Sequence, residues 1–122
     1  MKVQHVLLCA LLTVTSLVAS VNASAEDGRV IEVVTFKLKP GVSPSDFSAI
    51  DKAVEREQVS KQPGFVSRES AHGAGNEWLV IVHWRSTQDA DASMASFEKA
   101  PSAAKFMSKI DASTMVMKRY QK

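Results

Sequence analysis

The chain alternates between short apolar stretches and segments whose apolar residues recur every three or four positions. Two stretches, Arg29 to Leu38 and Glu77 to Arg85, are apolar at both odd and even positions. Because a strand with one face in water would be polar at every second position, both predict strands in the middle of a covered sheet. A third strand, mixed in polarity and nearer an edge, is predicted for Phe65 to His72, and a last one for Ser113 to Gln121.

The segment after the first strand has the signature of a helix that lies on a sheet. Ser43 is predicted as its N-cap, with Pro44 at the first helical position and Asp46 in the first turn. The pair Pro63-Gly64 is expected to end this helix. The helix face predicted to point into water consists of Asp51, Lys52, Glu55 and Arg56.

Two more helices are predicted in the second half of the chain. The segment Ser86 to Asp89 is a second capping signature and opens one of them. A short helix follows Pro101, and the glycine-rich segment His72 to Asn76 supplies a hairpin turn. The apolar positions of the short helix are Phe106, Met107 and Ile110. The order β-α-β-β-α-β, with the extra short helix, predicts an α+β ferredoxin-like fold with an antiparallel sheet.

The two central strands are apolar on both faces, but the helices of such a fold cover only one face of the sheet. The other face requires a partner, and a second copy of the chain would supply it. We therefore expect a homodimer in which two sheets form a dimeric α/β barrel.

The first 25 residues follow a different pattern. Lys2 precedes an apolar run that starts at Val6, and the run ends at Ala23-Ser24-Ala25, a cleavage pattern of small residues. Polar residues interrupt the run, which is short for a membrane span. The sequence predicts a secretory signal peptide in residues 1–25 and a mature domain in residues 26–122. The mature protein is then periplasmic or secreted, with no stable membrane anchor after cleavage.

Composition narrows the class of protein without naming a chemistry. The chain has 122 residues, 45% of them hydrophobic, with 15 Lys and Arg against 13 Asp and Glu. This is the size of one domain, and the interspersed charges predict no nucleic-acid partner. The single cysteine, Cys9, lies in the predicted signal peptide. The mature domain is thus stabilised by apolar burial alone, which also favours oligomerisation.

Strong chemical motifs are absent from the sequence. There is no phosphate loop and no dinucleotide fingerprint, so we expect no cofactor. The mature domain keeps only His72 and His83 as histidines, without ligand spacing, so we expect no metal site.

Two residues at the end of the third strand are candidates for chemistry. His83 and Trp84 alternate to opposite faces of the sheet. Trp84 either packs in the core or faces a ligand. His83 either is inert in the dimer interface or exchanges a proton near neutral pH. The elements around Trp84 contribute four further side chains to a predicted slot for a planar apolar ligand, namely Phe36, Met94, Phe97 and Phe106.

Three segments share their order and spacing with a known family. They are Phe36 to Gly41 before the first helix, Gln62 to Val66 into the second strand, and Trp84 to Ala90 into a later helix. In these segments the chain resembles the dimeric α/β-barrel proteins of the antibiotic-biosynthesis-monooxygenase type. The resemblance implies a small-molecule pocket between sheet and helices in each subunit. Characterised relatives oxidise polycyclic aromatics or quinols with oxygen and without metal or flavin, and others cleave haem.

The resemblance carries over to few catalytic positions. Many members have a Glu two residues before the strand-ending Trp, where this chain has Val82. A helix His and a first-strand Asn of the haem-cleaving branch have Phe97 and Thr35 as their nearest counterparts, and Trp84 alone matches. Three functions remain open: a cofactor-independent monooxygenase acting on a small aromatic or quinol, a non-catalytic binder of a small apolar or quinone-like molecule, and a stress-related structural barrel.

Overall fold

The computed structural model of the protein describes residues 29–122, so the predicted signal peptide lies outside the described residues. Four strands and three helices follow one another, with a 3-10 turn at Val59–Lys61. In chain order they are β1 (Val30–Leu38), α1 (Pro44–Glu57), β2 (Phe65–His72), β3 (Glu77–Trp84), α2 (Thr87–Phe97), α3 (Pro101–Ser108) and β4 (Ile110–Gln121). Within these residues no helix is both long enough and apolar enough to span a membrane.

The strands form one antiparallel sheet in the order β2-β3-β1-β4. The two apolar strands β1 and β3 are central and the mixed strand β2 is at an edge, as predicted. The β1–β3 register places Val30 opposite Trp84 and Phe36 opposite Trp78. The predicted α+β ferredoxin-like fold is confirmed.

Side chains on one face of the sheet, here called the inner face, pack against the helices. On β3 these inner-face residues are Trp78, Val80, Val82 and Trp84, all buried. Phe47 of α1 lies 4.9 Å from Trp78, measured between ring centroids, and Phe106 of α3 lies 5.7 Å from Phe36. The core therefore sits between the inner face and the three helices.

The opposite, outer face of the sheet has no helix against it among the described residues. Its central positions, half-buried by their strand neighbours alone, are Ile31, Val33 and Thr35 of β1 and Leu79, Ile81 and His83 of β3. At the β4 edge Val116 and Tyr120 are 50% and 53% exposed. The centre of the outer face is thus mainly apolar, with Glu69 of β2 and Lys118 of β4 beside it.

Both predicted helix caps are present. The Oγ of Ser43 accepts a hydrogen bond from the Asp46 amide at 3.1 Å, and the Oγ of Ser86 accepts one from the Asp89 amide at 3.0 Å. The helix α1 ends at Glu57, before the predicted stop, because the chain tightens into the 3-10 turn. Gly64 then turns the chain with a φ of +79°, and a Cβ there would overlap the carboxylate of Asp89.

The start of β4 corrects the sequence prediction. Ile110, predicted on the short helix, is the first residue of β4 and pairs with Leu38. The β1–β4 register is irregular between Thr35 and Lys37, so the first residues of β4 do not show the alternation of a regular strand. There the Lys37 amide donates to the side-chain oxygen of Thr114 at 2.8 Å. Burial of Ile110 against the core outweighs the helical spacing of the residues before it.

Candidate functional site

A cavity of about 470 Å³ lies between the inner face and the helices α2 and α3. Its size is within the range of small-molecule sites. Most of its wall is apolar, and four methionines give it deformable sides. The apolar wall includes Val34, Phe36, Val59, Val80, Val82, Trp84, Met94, Phe97, Phe106, Met107, Met115 and Met117. Polar side chains that reach the wall are Glu32, Arg68, Ser93 and Glu98.

The structure brings five of the six candidate site residues to this cavity. Phe36 and Trp84 come from the central strands, Met94 and Phe97 from α2, and Phe106 from α3. Phe106 lies 6.0 Å from Phe97 between ring centroids, with the two rings perpendicular. Four separate elements thus supply one aromatic wall.

His83 is the candidate that does not reach the cavity. It lies on the outer face, where it pairs with Ile31 of β1 and Ser67 of β2. A ligand in the cavity is therefore separated from His83 by the sheet itself.

Thr35 is also on the outer face, opposite Leu79 and Val116. Its side chain cannot take the place in the cavity that the resemblance assigns to an Asn on the first strand. The neighbouring inner-face residue Val34 lines the cavity instead. Side chains alternate between the two faces of a strand, so a shift of one residue turns a side chain to the opposite face. Thr35 is shifted by one residue relative to the position that the resemblance assigns to the Asn.

Trp84 is both a core residue and part of the cavity wall, since it is 1% exposed and lines the cavity. Its ring contacts Phe65 edge-on, with centroids 6.0 Å apart. Its indole Nε1 is buried without a hydrogen-bond partner among the described residues. What Trp84 contributes to the cavity is therefore the apolar surface of its ring.

Glu32 is the functional candidate that sequence reasoning missed. It lies on β1 directly across from Val82 of β3, and 8% of its side chain is exposed. The position where many members of the similar family carry a Glu is thus apolar in this chain, while a carboxylate reaches the same cavity from the adjacent strand. A lone charge among the β-branched residues of β1 was the signal that could have found it.

Arg119 of β4 holds the carboxylate of Glu32. Its Nε donates to Glu32 Oε2 at 2.8 Å, and its Nη1 donates to Asp91 of α2. Burial lowers the pKa of Arg119, but the hydrogen bonds and charges of Asp91 and Glu32 outweigh it and raise that pKa above the ordinary arginine value. The guanidinium therefore stays charged and ties β4 to α2 beside the cavity.

A second buried ion pair corrects the predicted polar face of α1. Asp51 is buried against the sheet, where Arg68 of β2 donates two hydrogen bonds to its carboxylate, at 2.7 and 3.0 Å. Ser70 donates to the same carboxylate. Asp51 faces inward because a partner from a distant strand compensates its charge, which helical periodicity alone cannot reveal. Arg68 lines both the cavity and a more polar groove between α1 and β2.

Within residues 29–122 no cluster of three His, Cys, Asp or Glu side chains is arranged to hold a metal ion.

Comparison with known proteins gives structural neighbours only. No protein-family model matches the sequence. None of the curated proteins matches it either. The solved structure of SnoaB, a cofactor-independent oxygenase from Streptomyces nogalater, is similar with a TM-score of 0.63 and 18% identity, over 76% of this chain and 91% of that chain.

Two further solved structures have the same fold. A putative antibiotic biosynthesis monooxygenase from Chloroflexus aurantiacus has a TM-score of 0.54 and 18% identity, over 76% of this chain and 92% of that chain. A dimeric ferredoxin-like protein of unknown function from Thermobifida fusca has a TM-score of 0.60 and 9% identity, over 76% of this chain and 90% of that chain. The chain therefore has the antibiotic-biosynthesis-monooxygenase type of ferredoxin-like fold.

Proposed function

We propose that the cavity binds a small planar aromatic compound of the quinone or quinol type. The observation that carries this proposal is the cavity of about 470 Å³ with a wall that is mostly apolar and includes the rings of Phe36, Trp84, Phe97 and Phe106. A flat ring system matches these aromatic side chains. The methionines around it adapt to rings of different outline.

Oxidation of the bound compound by oxygen is the second candidate function. Glu32 supports it, because a carboxylate inside a mainly apolar cavity can accept a proton from an acidic hydroxyl or C–H group. The resulting anion is electron-rich and reacts with oxygen more readily than the neutral compound. The structural similarity to SnoaB, an oxygenase, adds support. His83 has no part in this proposal, since the sheet separates it from the cavity.

Calorimetric titration of residues 26–122 with 1,4-naphthoquinone tests the binding proposal. We expect saturable binding with one site per subunit. The absence of saturable binding for this quinone and for other two-ring aromatics would overturn the proposal.

Oxygen uptake with the corresponding quinol, 1,4-naphthohydroquinone, tests the second candidate. Uptake should exceed the autoxidation rate, fall in a Glu32→Gln variant and persist in a His83→Ala variant. Binding without such uptake would leave the chain as a non-catalytic binder.

We also propose that the protein acts as an exported homodimer. The apolar outer face supports the dimer, as does the dimeric state of the Thermobifida fusca protein of the same fold. The pattern of residues 1–25 supports export. Mass determination of protein recovered outside the cytoplasm should give a chain that begins at Glu26. An intact Met1 on a membrane-bound product would contradict export.

A further inference from the structure

We infer that Glu32 is a specificity-determining residue that selects aromatic ligands carrying a hydroxyl group. This inference rests on the proposed aromatic site and narrows its ligand class to phenols, naphthols and quinols. It assigns to Glu32 a hydrogen bond to the ligand, with Arg119 as the positioning residue that holds the carboxylate in place.

The first argument is the cost of burying a charge at this position. Glu32 lies on a central strand between Val30 and Val34, which share its inner face. A valine at position 32 would continue that face and fill it with apolar surface. A buried ion pair is often no more stabilising than apolar residues of similar volume, because both charges lose their hydration. The stability of the sheet therefore does not account for the carboxylate, whereas recognition of a ligand does.

The second argument is the unused hydrogen-bonding capacity of the carboxylate. A carboxylate offers about four lone-pair sites on its two oxygens. The Nε of Arg119 takes one of them on Oε2, at 2.8 Å. Glu32 also lines the cavity, so a donor on a ligand can approach it from that side.

The third argument concerns the charge of the donor. Arg119 pairs with Glu32, and most of the remaining cavity wall is apolar. A charged ligand would lose its hydration against this apolar wall, so a neutral hydroxyl is the donor that the site favours. Hydrogen bonds from a neutral donor to a charged acceptor are stronger than those between neutral groups.

The fourth argument is the spacing between Glu32 and the aromatic ring of Trp84 in the cavity wall. Trp84 is directly opposite Val30, and Glu32 is two residues further along the same face of β1. Such diagonal neighbours lie about 7–8 Å apart between backbone positions. A two-ring compound is long enough to place a hydroxyl near Glu32 while its other ring packs on Trp84.

Two probes of nearly equal size test the inference. 2-Naphthol carries a hydroxyl donor, and 2-methoxynaphthalene carries a methyl group in place of that hydrogen. Calorimetry should show 2-naphthol binding at least about tenfold more tightly to the parent protein, the effect of one hydrogen bond to a charged acceptor. In Glu32→Val the ratio of the two affinities should fall to about one, while 2-methoxynaphthalene binds at least as well as before.

Two further variants separate recognition from structure. Glu57→Gln changes an exposed carboxylate at the end of α1, outside the cavity wall, and should leave the affinity ratio unchanged. Glu32→Gln keeps the shape of the side chain and a neutral acceptor, so it should retain only a few-fold preference. It replaces Glu32→Val if that variant does not fold.

The outcomes distinguish this inference from the function on which it rests. If neither probe binds, the aromatic site itself is wrong and the inference falls with it. If both bind equally well, or if the full preference of the parent protein for 2-naphthol survives in Glu32→Val or in the Glu32→Gln variant that replaces it, aromatic binding stands and the role of Glu32 is refuted.

Discussion

Trp78 and Trp84 lie on the same face of β3, and both are almost fully buried. Each has an indole Nε1 without a hydrogen-bond partner among the described residues. They differ in their surroundings, because Trp84 lines the cavity whereas Trp78 packs on Phe47 and borders the groove between α1 and β2. One strand thus offers a tryptophan of the proposed site and a control of similar burial.

Replacing Trp84 by Phe should weaken 1,4-naphthoquinone binding about two- to tenfold, because the smaller ring loses part of an aromatic contact that contributes roughly 0.5–1.5 kcal/mol. The change Trp78→Phe should leave the affinity unchanged. Both variants lose similar buried volume, so their stabilities should fall by similar amounts. Calorimetric affinities and denaturation midpoints of the two variants check this. An equal loss of affinity in both would show that Trp84 is only a core residue.

At the scale of strands and helices, the sequence predicted the features that depend on residues close to one another in the chain. The caps at Ser43 and Ser86 depend on residues within one turn, and the strand β3 depends on a continuous apolar run. Asp51 was predicted to face water, but it faces inward because Arg68, seventeen positions away, pairs with it. That partner could not be identified from the spacing of one helix.

The sequence predicted those residues of the candidate site whose positions depend on local patterns. Its aromatic residues follow from strand parity and helical spacing, because apolar side chains collect on the face that is covered. The Glu32–Arg119 pair joins residues 87 positions apart on neighbouring strands, and it needs the β1–β4 register. Arg119 lies in the basic segment Lys118 to Lys122, a pattern typical of a solvated edge, although only 22% of its side chain is exposed. The sequence alone does not reveal that β1 and β4 are neighbours in the sheet.

The turn at Gly64 joins the end of one element to the start of another. Its positive φ excludes most side chains, and its Cα faces the Asp89 carboxylate at the start of α2. Gly64→Ala should destabilise the protein by roughly 2–5 kcal/mol, from backbone strain and overlap together. Urea denaturation gives the free energy of unfolding that checks this.

Gly41 provides the matched control for that change. It has a similar φ of +87°, but an added Cβ would meet no atom within 4 Å. Gly41→Ala should therefore cost only the backbone strain, about 1–2 kcal/mol. Equal losses at both glycines would mean that Asp89 moves aside freely and contributes nothing.

At the scale of the whole molecule, the proposed dimer depends on the outer face. Leu79 lies on this face between Thr35 of β1 and Ala71 of β2. Leu79→Lys would bury an unpaired charge between two sheets, so it should convert the dimer to a monomer or unfold it. Ala49→Lys on the exposed side of α1 should keep the dimer. Light scattering of all three proteins decides, and a monomeric parent protein at micromolar concentration would contradict the proposal.

The edge strand β4 serves both faces of the sheet at once. Met115, Met117 and Arg119 point to the cavity side, and the alternate residues Val116 and Tyr120 point to the outer face. A ligand and a second subunit would therefore act on the same short stretch of backbone. By thermodynamic reciprocity, if the ligand multiplies the dimerisation constant by some factor, dimerisation multiplies the ligand affinity by the same factor. If 1,4-naphthoquinone strengthens dimerisation, its affinity should be lower for protein diluted below the dimer–monomer transition.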